Sequence, residues 1–241
     1  MLKLLAGNEA FALGAYYAGV MVASAYPGTP STEILEMLSA HKDIRTDWAS
    51  DERVAMEVAM GASFAGVRAL VVMKHVGLNV ASDPFMSSSI TGINAGLVMI
   101  VADDPGMHSS QSEQDTRNFA KFAKVPILEP SDSQEAHDFI EVAFGISERF
   151  DTPVIVRSTT RVSHSKSVVD INKKRTTKNA QFNYDVSKYV LLPEYARGRR
   201  PNQEKRIEML REFAETLPLN QITIGNKRLG IISSGVAYQY A

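Results

Sequence analysis

The 241-residue sequence has no cysteine, a single tryptophan and no apolar run long enough to cross a membrane. Without cysteine the chain holds no disulfide, no cysteine-ligated zinc, no iron–sulfur cluster and no thiol nucleophile. That composition fits a reducing compartment, so a cytoplasmic location is expected. The apolar opening is broken at once by Gly7, Asn8 and Glu9, too early for a secretory signal. Charge of one sign is also missing: 26 Lys+Arg stand against 27 Asp+Glu. Neither a nucleic-acid footprint nor a membrane partner is expected from that balance. P-loop, Gly-x-Gly-x-x-Gly and Gly-x-Ser-x-Gly motifs are absent, which argues against ATPase, dehydrogenase and hydrolase readings. No His-x-x-x-His pair occurs, and no metal site is expected on this chain.

What is present reads as an ordinary globular chain, 44% hydrophobic and 22% charged. Residues 7–157 alternate helical and strand-like patterns. Gly7 to Tyr17, Pro30 to Ala40, Asp51 to Ala65 and Ser131 to Phe150 carry helical periods. Val20 to Ala25, Ala69 to Met73, Leu97 to Ala102 and Pro153 to Arg157 read as strands, the middle two apolar on both faces. Such strands between helices predict a parallel sheet covered on two sides. Ligands of these sheets bind outside the carboxyl ends of the strands. The loops after Ala25, Met73, Ala102 and Arg157 are therefore the candidate site.

Past Val168 the composition shifts to Lys, Arg, Asn and Gln, which predicts a linker or arm. Glu204 to Leu217 reads as an amphipathic helix with Ile207, Leu210 and Phe213 inward. Lys227 to Gly235 reads as a strand and turn, and Val236 to Ala241 as the start of a helix. A strand with half a helix is no stable unit, so the expectation is an N-terminal piece of a longer polypeptide.

Five loop segments carry chemistry. Tyr26–Glu33 combines two prolines, Gly28, Thr29 and Ser31 at a strand-to-helix junction. It is either an anion-binding turn or a capped one, with Thr29 as cap. Asp51 or Glu52 could simply favour a helix N-terminus. Lys74-His75-Val76-Gly77-Leu78-Asn79 follows a buried strand, as a binding loop would. Ala102 to Arg117 is a long polar loop after a buried strand, and such loops are usually functional or disordered. Its Asp103-Asp104 pair suits a hard cation or a turn. Arg157 to His164 offers hydroxyls and a guanidinium suited to a carboxylate or phosphate.

Together YPGTPSTE, SDERVAMEVAMGASFAG, MKHVGLN, VADDPGMHSSQSEQDTR and VRSTTRVSHS resemble one family. They look like the N-terminal part of the alpha subunit in the indolepyruvate branch of the thiamine-diphosphate-dependent 2-oxoacid:ferredoxin oxidoreductases. The resemblance runs from about residue 3 to 241. It implies a three-layer α/β pyrimidine-binding domain, mostly parallel, of about six strands over residues 1–168. A linker with a helix over 169–226 and a truncated transketolase-C-terminal-like domain over 227–241 would follow.

The resemblance implies oxidative decarboxylation of arylpyruvates to aryl-acetyl-CoA with ferredoxin reduction. A beta subunit, ferredoxin, CoA and a second copy of the chain would be partners. Magnesium would sit on a pyrophosphate domain, and iron–sulfur clusters on a ferredoxin-like domain, both outside this chain. Glu52, nine residues before Gly61, matches the glutamate that contacts the aminopyrimidine ring nitrogen. A carboxyl there favours the imino tautomer, whose exocyclic nitrogen takes the thiazolium proton. Thr29 and Arg117 match residues at the substrate carboxylate, with His75 and Asn79 lining the pocket. Gly28, Thr29, Lys74 and Gly77 fall with Glu52 on the cofactor side. Two rival readings stand beside this one: a non-oxidative thiamine-dependent 2-oxoacid decarboxylase subunit, and a non-catalytic assembly module.

Overall fold

The computed structural model describes every residue except Lys227. A short strand β1 (Leu2–Ala6) leads into α1 (Gly7–Tyr17). Alternation follows through β2 (Val22–Ala25), α2 (Thr32–Ser39), β3 (Arg45–Trp48), α3 (Glu52–Phe64) and β4 (Ala69–Lys74). Two short helices, α4 (His75–Val80) and α5 (Ser82–Thr91), precede β5 (Leu97–Asp103). Then come α6 (Thr116–Ala123), β6 (Ile127–Leu128), α7 (Ser133–Phe150), β7 (Val154–Thr159), α8 (Thr160–His164) and β8 (Lys166–Asp170). Last are α9 (Val186–Tyr189), α10 (Pro193–Thr216) and a 3₁₀ turn at Gly235–Tyr240.

Six strands form one parallel sheet in the order β3-β2-β4-β5-β7-β6. Alternation along the central strands divides the core in two. Leu70, Val72, Val98, Ile100, Val154 and Val156 face one layer, with Phe11, Ile34, Leu35 and Phe144 from α1, α2 and α7. Val71, Met73, Met99, Val101 and Ile155 face the other, with Ala55, Met56, Ala59, Phe85 and Ala120. The result is the expected three-layer α/β sandwich. Small residues on α3 let that helix lie close on the sheet.

This order reverses twice. From β2 the chain goes outward to β3 and returns to place β4 on the other side of β2. From β5 it goes to the edge strand β6 and returns to insert β7 between them. Each reversal puts the connecting helices on opposite faces and opens a crevice at the carboxyl ends of the strands.

Several boundaries move for local reasons. β2 starts at Val22, because Gly19 takes φ 75° and the Val20 N–H returns to the Ala15 carbonyl, closing α1. α2 starts at Thr32, because the Ser31 N–H bonds back to the Gly28 carbonyl at 2.9 Å and makes a turn there. α10, at 24 residues, begins well before the expected Glu204: Pro193 sits in its first turn, and Pro201 and Gly198 within it hide the helical period from the sequence. β1, read only as an apolar opening, pairs antiparallel with β8.

The strand expected over Lys227 to Gly235 does not form in the described part. Residues 229–234 have no ladder partner, and Leu229, Ile231 and Ile232 are exposed. A strand exists only when paired. Lys227, where that segment and the proposed 227–241 unit begin, lies outside the described residues. The expected terminal helix is a 3₁₀ turn.

Candidate active site

The first crevice lies between β2 and β4. Gly28 follows β2, and a Cβ built on it would stand 3.3 Å from the Lys74 Cβ at the end of β4. The Gly28 N–H donates to Thr32 Oγ1 at 2.9 Å, and Ser31 Oγ donates to the Gly28 carbonyl at 3.0 Å. This network, rather than Thr29, caps the turn, and Thr29 is left exposed at its tip. Asn8, buried on α1, fixes the turn from beneath by donating to the Pro30 carbonyl at 2.6 Å and to Glu33 at 2.8 Å. Nothing local in the sequence marks Asn8, because its partners lie 22 and 25 residues away.

β3 delivers the acidic pair beside this crevice. Asp51 is the N-cap of α3 and accepts the Val54 N–H at 2.9 Å. That leaves Glu52, half-buried in the first turn, without a hydrogen-bond or ion-pair partner among the described residues. Its carboxylate lies against Gly77, where a Cβ would come within 2.5 Å of Glu52 Oε1. Gly77 thus makes the cradle in which Glu52 rests.

Lys74 and His75 are buried and reach the long loop after β5. Lys74 Nζ donates to the Ser109 carbonyl at 2.7 Å. His75 Nε2 lies 3.0 Å from the Ser112 carbonyl, and Nδ1 lies 3.4 Å from the Ala102 carbonyl. Asn79 is exposed on α4. Asp104 grips the same loop, accepting Ser109 N–H at 2.8 Å, Ser110 Oγ at 2.5 Å and Thr160 Oγ1 at 2.7 Å. Burial works against its charge, but these three donors outweigh burial and hold the carboxyl well below the usual range. Asp104 is therefore a loop anchor, with both oxygens already engaged.

The second crevice, between β5 and β7, holds the other charges. Asp103 accepts Thr116 N–H at 3.0 Å, Thr116 Oγ1 at 2.5 Å and Arg157 Nε at 2.6 Å. Arg157 also donates to Glu129 at 2.5 Å. Arg117 sits here, and Asp115 occupies its fork: Nε to Oδ1 is 2.9 Å and Nη2 to Oδ2 is 2.8 Å. That bond lowers the Asp115 pKa and raises that of Arg117. Glu129 is a further 3.9 Å neighbour of Arg117.

The structure therefore gathers Gly28 with Lys74 and Glu52 with Gly77 around one crevice, and the loop held by Lys74 and His75 beside it. It puts Arg117 with Asp115, Glu129, Asp103 and Arg157 in the next. Arg157 opens a segment read as a carboxylate or phosphate contact and Asp115 lies in the long polar loop, but Glu129 was in no named segment. Nothing in the spacing joined the three, because the cluster draws on three separate strand ends.

A parallel sheet with a free carboxylate, a glycine cradle and a pinned polar loop at its switch points defines a class: an α/β domain built to hold a ligand at its carboxyl edge. Residues 13–217 match the family model described as pyruvate flavodoxin/ferredoxin oxidoreductase, thiamine diphosphate binding, and the chain belongs to that family. It is 45% identical to the indolepyruvate oxidoreductase subunit IorA of Pyrococcus horikoshii, over 98% of this chain and 38% of that protein. It is 42% identical to the IorA subunit of Archaeoglobus fulgidus, over 98% of this chain and 39% of that protein. The chain thus spans about two fifths of these relatives. A solved 2-oxoglutarate:ferredoxin oxidoreductase from Magnetococcus marinus shares the fold, with TM-score 0.69 and 17% identity, over 88% of this chain and 45% of that one.

Proposed function

We propose that this chain supplies the aminopyrimidine side of a thiamine diphosphate site. The whole enzyme would oxidatively decarboxylate arylpyruvates such as indolepyruvate to aryl-acetyl-CoA and reduce ferredoxin. The observation that carries this is Glu52, a half-buried carboxylate with no partner among the described residues, cradled by Gly77 at the first crevice. An unpartnered carboxylate in such a place needs a donor, and a protonated ring nitrogen is one. The residues present fit the pyrimidine half of the cofactor.

Bound thiamine diphosphate supplies the carbanion chemistry that decarboxylation of a 2-oxoacid needs. Glu52 holds the proton at the ring nitrogen. Gly28, Thr29 and Lys74 border the cofactor, with Gly77 giving the close approach that a side chain would block. Arg117 and Thr29 take the substrate carboxylate, with His75 and Asn79 beside it. Magnesium, the iron–sulfur clusters and CoA belong to parts outside this chain, on further domains and a beta subunit.

Exposed Tyr26, Trp48 and Val54 frame the Glu52 edge, which supports a homodimer through that face or through α3. The division into a pyrimidine domain over 1–168, an arm over 169–226 and the start of another domain at 227 fits this reading. So does a cytoplasmic location.

The test is Glu52→Gln in the assembled oxidoreductase. Turnover with indolepyruvate should fall by about a hundredfold or more. Unchanged turnover would favour the assembly-module reading. Turnover of arylpyruvate without ferredoxin reduction would favour the non-oxidative decarboxylase.

A further inference from the structure

At the opposite, amino-terminal edge of the sheet, α10 docks on the body through an excess of positive charge. Asp151, just past α7, is the hub. Its Oδ1 accepts Lys188 Nζ at 2.8 Å and the Ile93 N–H at 2.8 Å. Its Oδ2 accepts Arg206 Nη2 at 3.2 Å and Arg199 Nη2 at 3.3 Å. One carboxylate thus faces three cations.

Two more cations stand beside them, Arg149 and Lys205, and neither has a carboxylate partner among the described residues. Arg149 instead lies over the Phe213 ring, 4.8 Å from its centroid. Along α10, Arg199, Asn202, Lys205 and Arg206 recur at helical spacing and so share one face. With Arg149 and Asp151 they line a cavity of about 300 Å³.

Mere docking of α10 does not need this arrangement. Lys188, Arg199 and Arg206 share Asp151 and also donate to the Ile93, Thr91 and Ser89 carbonyls, so Arg149 and Lys205, both exposed, are the cations beyond what docking uses. Arg206 is 5% exposed, and burial lowers its pKa against the pull of Asp151. Arg199 Nε is buried with no acceptor. Arg149, Arg199, Lys205 and Arg206 line the cavity together with Phe150 and Met209, and such a cluster of guanidinium and ammonium groups is complementary to a tetrahedral oxyanion.

We infer that this cavity binds the phosphate group of a small soluble phosphorylated ligand. Arg199, Lys205 and Arg206 supply the donors, and the bound anion completes the charge that Asp151 leaves uncompensated. The site lies at the far end of the strands from Glu52, so it is independent of the proposed cofactor chemistry. Filling it would tighten α10 on the body, because the cations come from α10 and the cavity floor from α7.

The test is calorimetric titration of the full 241-residue chain with inorganic phosphate and with pyrophosphate, at constant ionic strength set by chloride. One saturable site is expected, with pyrophosphate binding about tenfold more tightly. Lys205 and Arg149 are exposed, so Lys205→Gln and the double variant Lys205→Gln, Arg149→Gln should fold normally by circular dichroism. The single change should weaken phosphate about tenfold, and the double change should abolish saturable binding. No saturable heat above the chloride control would overturn the proposal. Equal affinity in the folded double variant would overturn it too.

Discussion

Asp51 and Glu52 are adjacent carboxylates with different environments, and the difference is decided by one hydrogen bond. Asp51 is held by the Val54 N–H as the cap of α3. Glu52 is left to lean on Gly77. Sequence could place the acidic pair at a helix start but could not assign the cap by periodicity; the family resemblance singled out Glu52. Gly77→Ala tests the cradle. The new methyl would push Glu52 aside, so thiamine diphosphate affinity of the assembled enzyme should drop at least about tenfold while helix content is kept. Unaltered affinity would mean the close approach has no role.

Arg117 raises a competition. Asp115 already makes the two-pronged contact that a substrate carboxylate would make. Asparagine caps a helix as well as aspartate does, so Asp115→Asn should leave α6 intact. It should lower the KM for indolepyruvate by about tenfold, because a charged rival is removed from the fork. A raised KM would show that Asp115 orients Arg117 rather than competing for it. Asp115 was invisible as a rival in the sequence, where it is one of several polar residues in the long loop before Arg117.

Among the elements, the buried strands were legible because Ala69–Lys74 and Leu97–Asp103 are buried on both faces. The edge strands β3 and β6 were not. They are four and two residues long, and β3 is mostly exposed. Their positions follow from pairing, which local pattern does not encode. α7 has a fastening of its own. Glu148 receives both prongs of Arg68, at 2.7 and 2.9 Å, and Lys178 from the arm at 2.7 Å. Burial opposes its charge, but these cations prevail and lower its pKa to about 2.

A carboxyl depressed in the folded state stabilises the fold above the ordinary glutamate range and loses that stabilisation as pH falls toward 2. The contribution is about 3 kcal/mol at neutral pH. Denaturant midpoints should therefore decline between about pH 5 and pH 2, and Glu148→Gln should flatten that decline. A variant whose midpoint falls as steeply as the parent's would assign acid sensitivity to other carboxylates.

At the scale of the whole molecule, two reversals of strand order create two crevices side by side, and the charged loops fall into them. The alternation of helix and strand predicted the sheet, but the order of its strands came only from the three-dimensional pairing. The arm then crosses the amino-terminal edge. Arg175 bonds the Tyr16 and Val20 carbonyls, and Lys188 bonds that of Ile93. The carboxyl edge keeps Tyr26, Trp48 and Val54 exposed. Sedimentation of the chain at micromolar concentration should accordingly report a dimer. A clean monomer would remove that face as a self-association surface.

The central claim is that Glu52 governs a proton at the cofactor's aminopyrimidine. Its most direct measurement is the rate of hydrogen–deuterium exchange at C2 of thiamine diphosphate bound to the assembled enzyme, compared between the parent and Glu52→Gln. The account predicts that exchange slows at least about a hundredfold while cofactor affinity stays within about tenfold. Equal exchange rates at equal occupancy would contradict it.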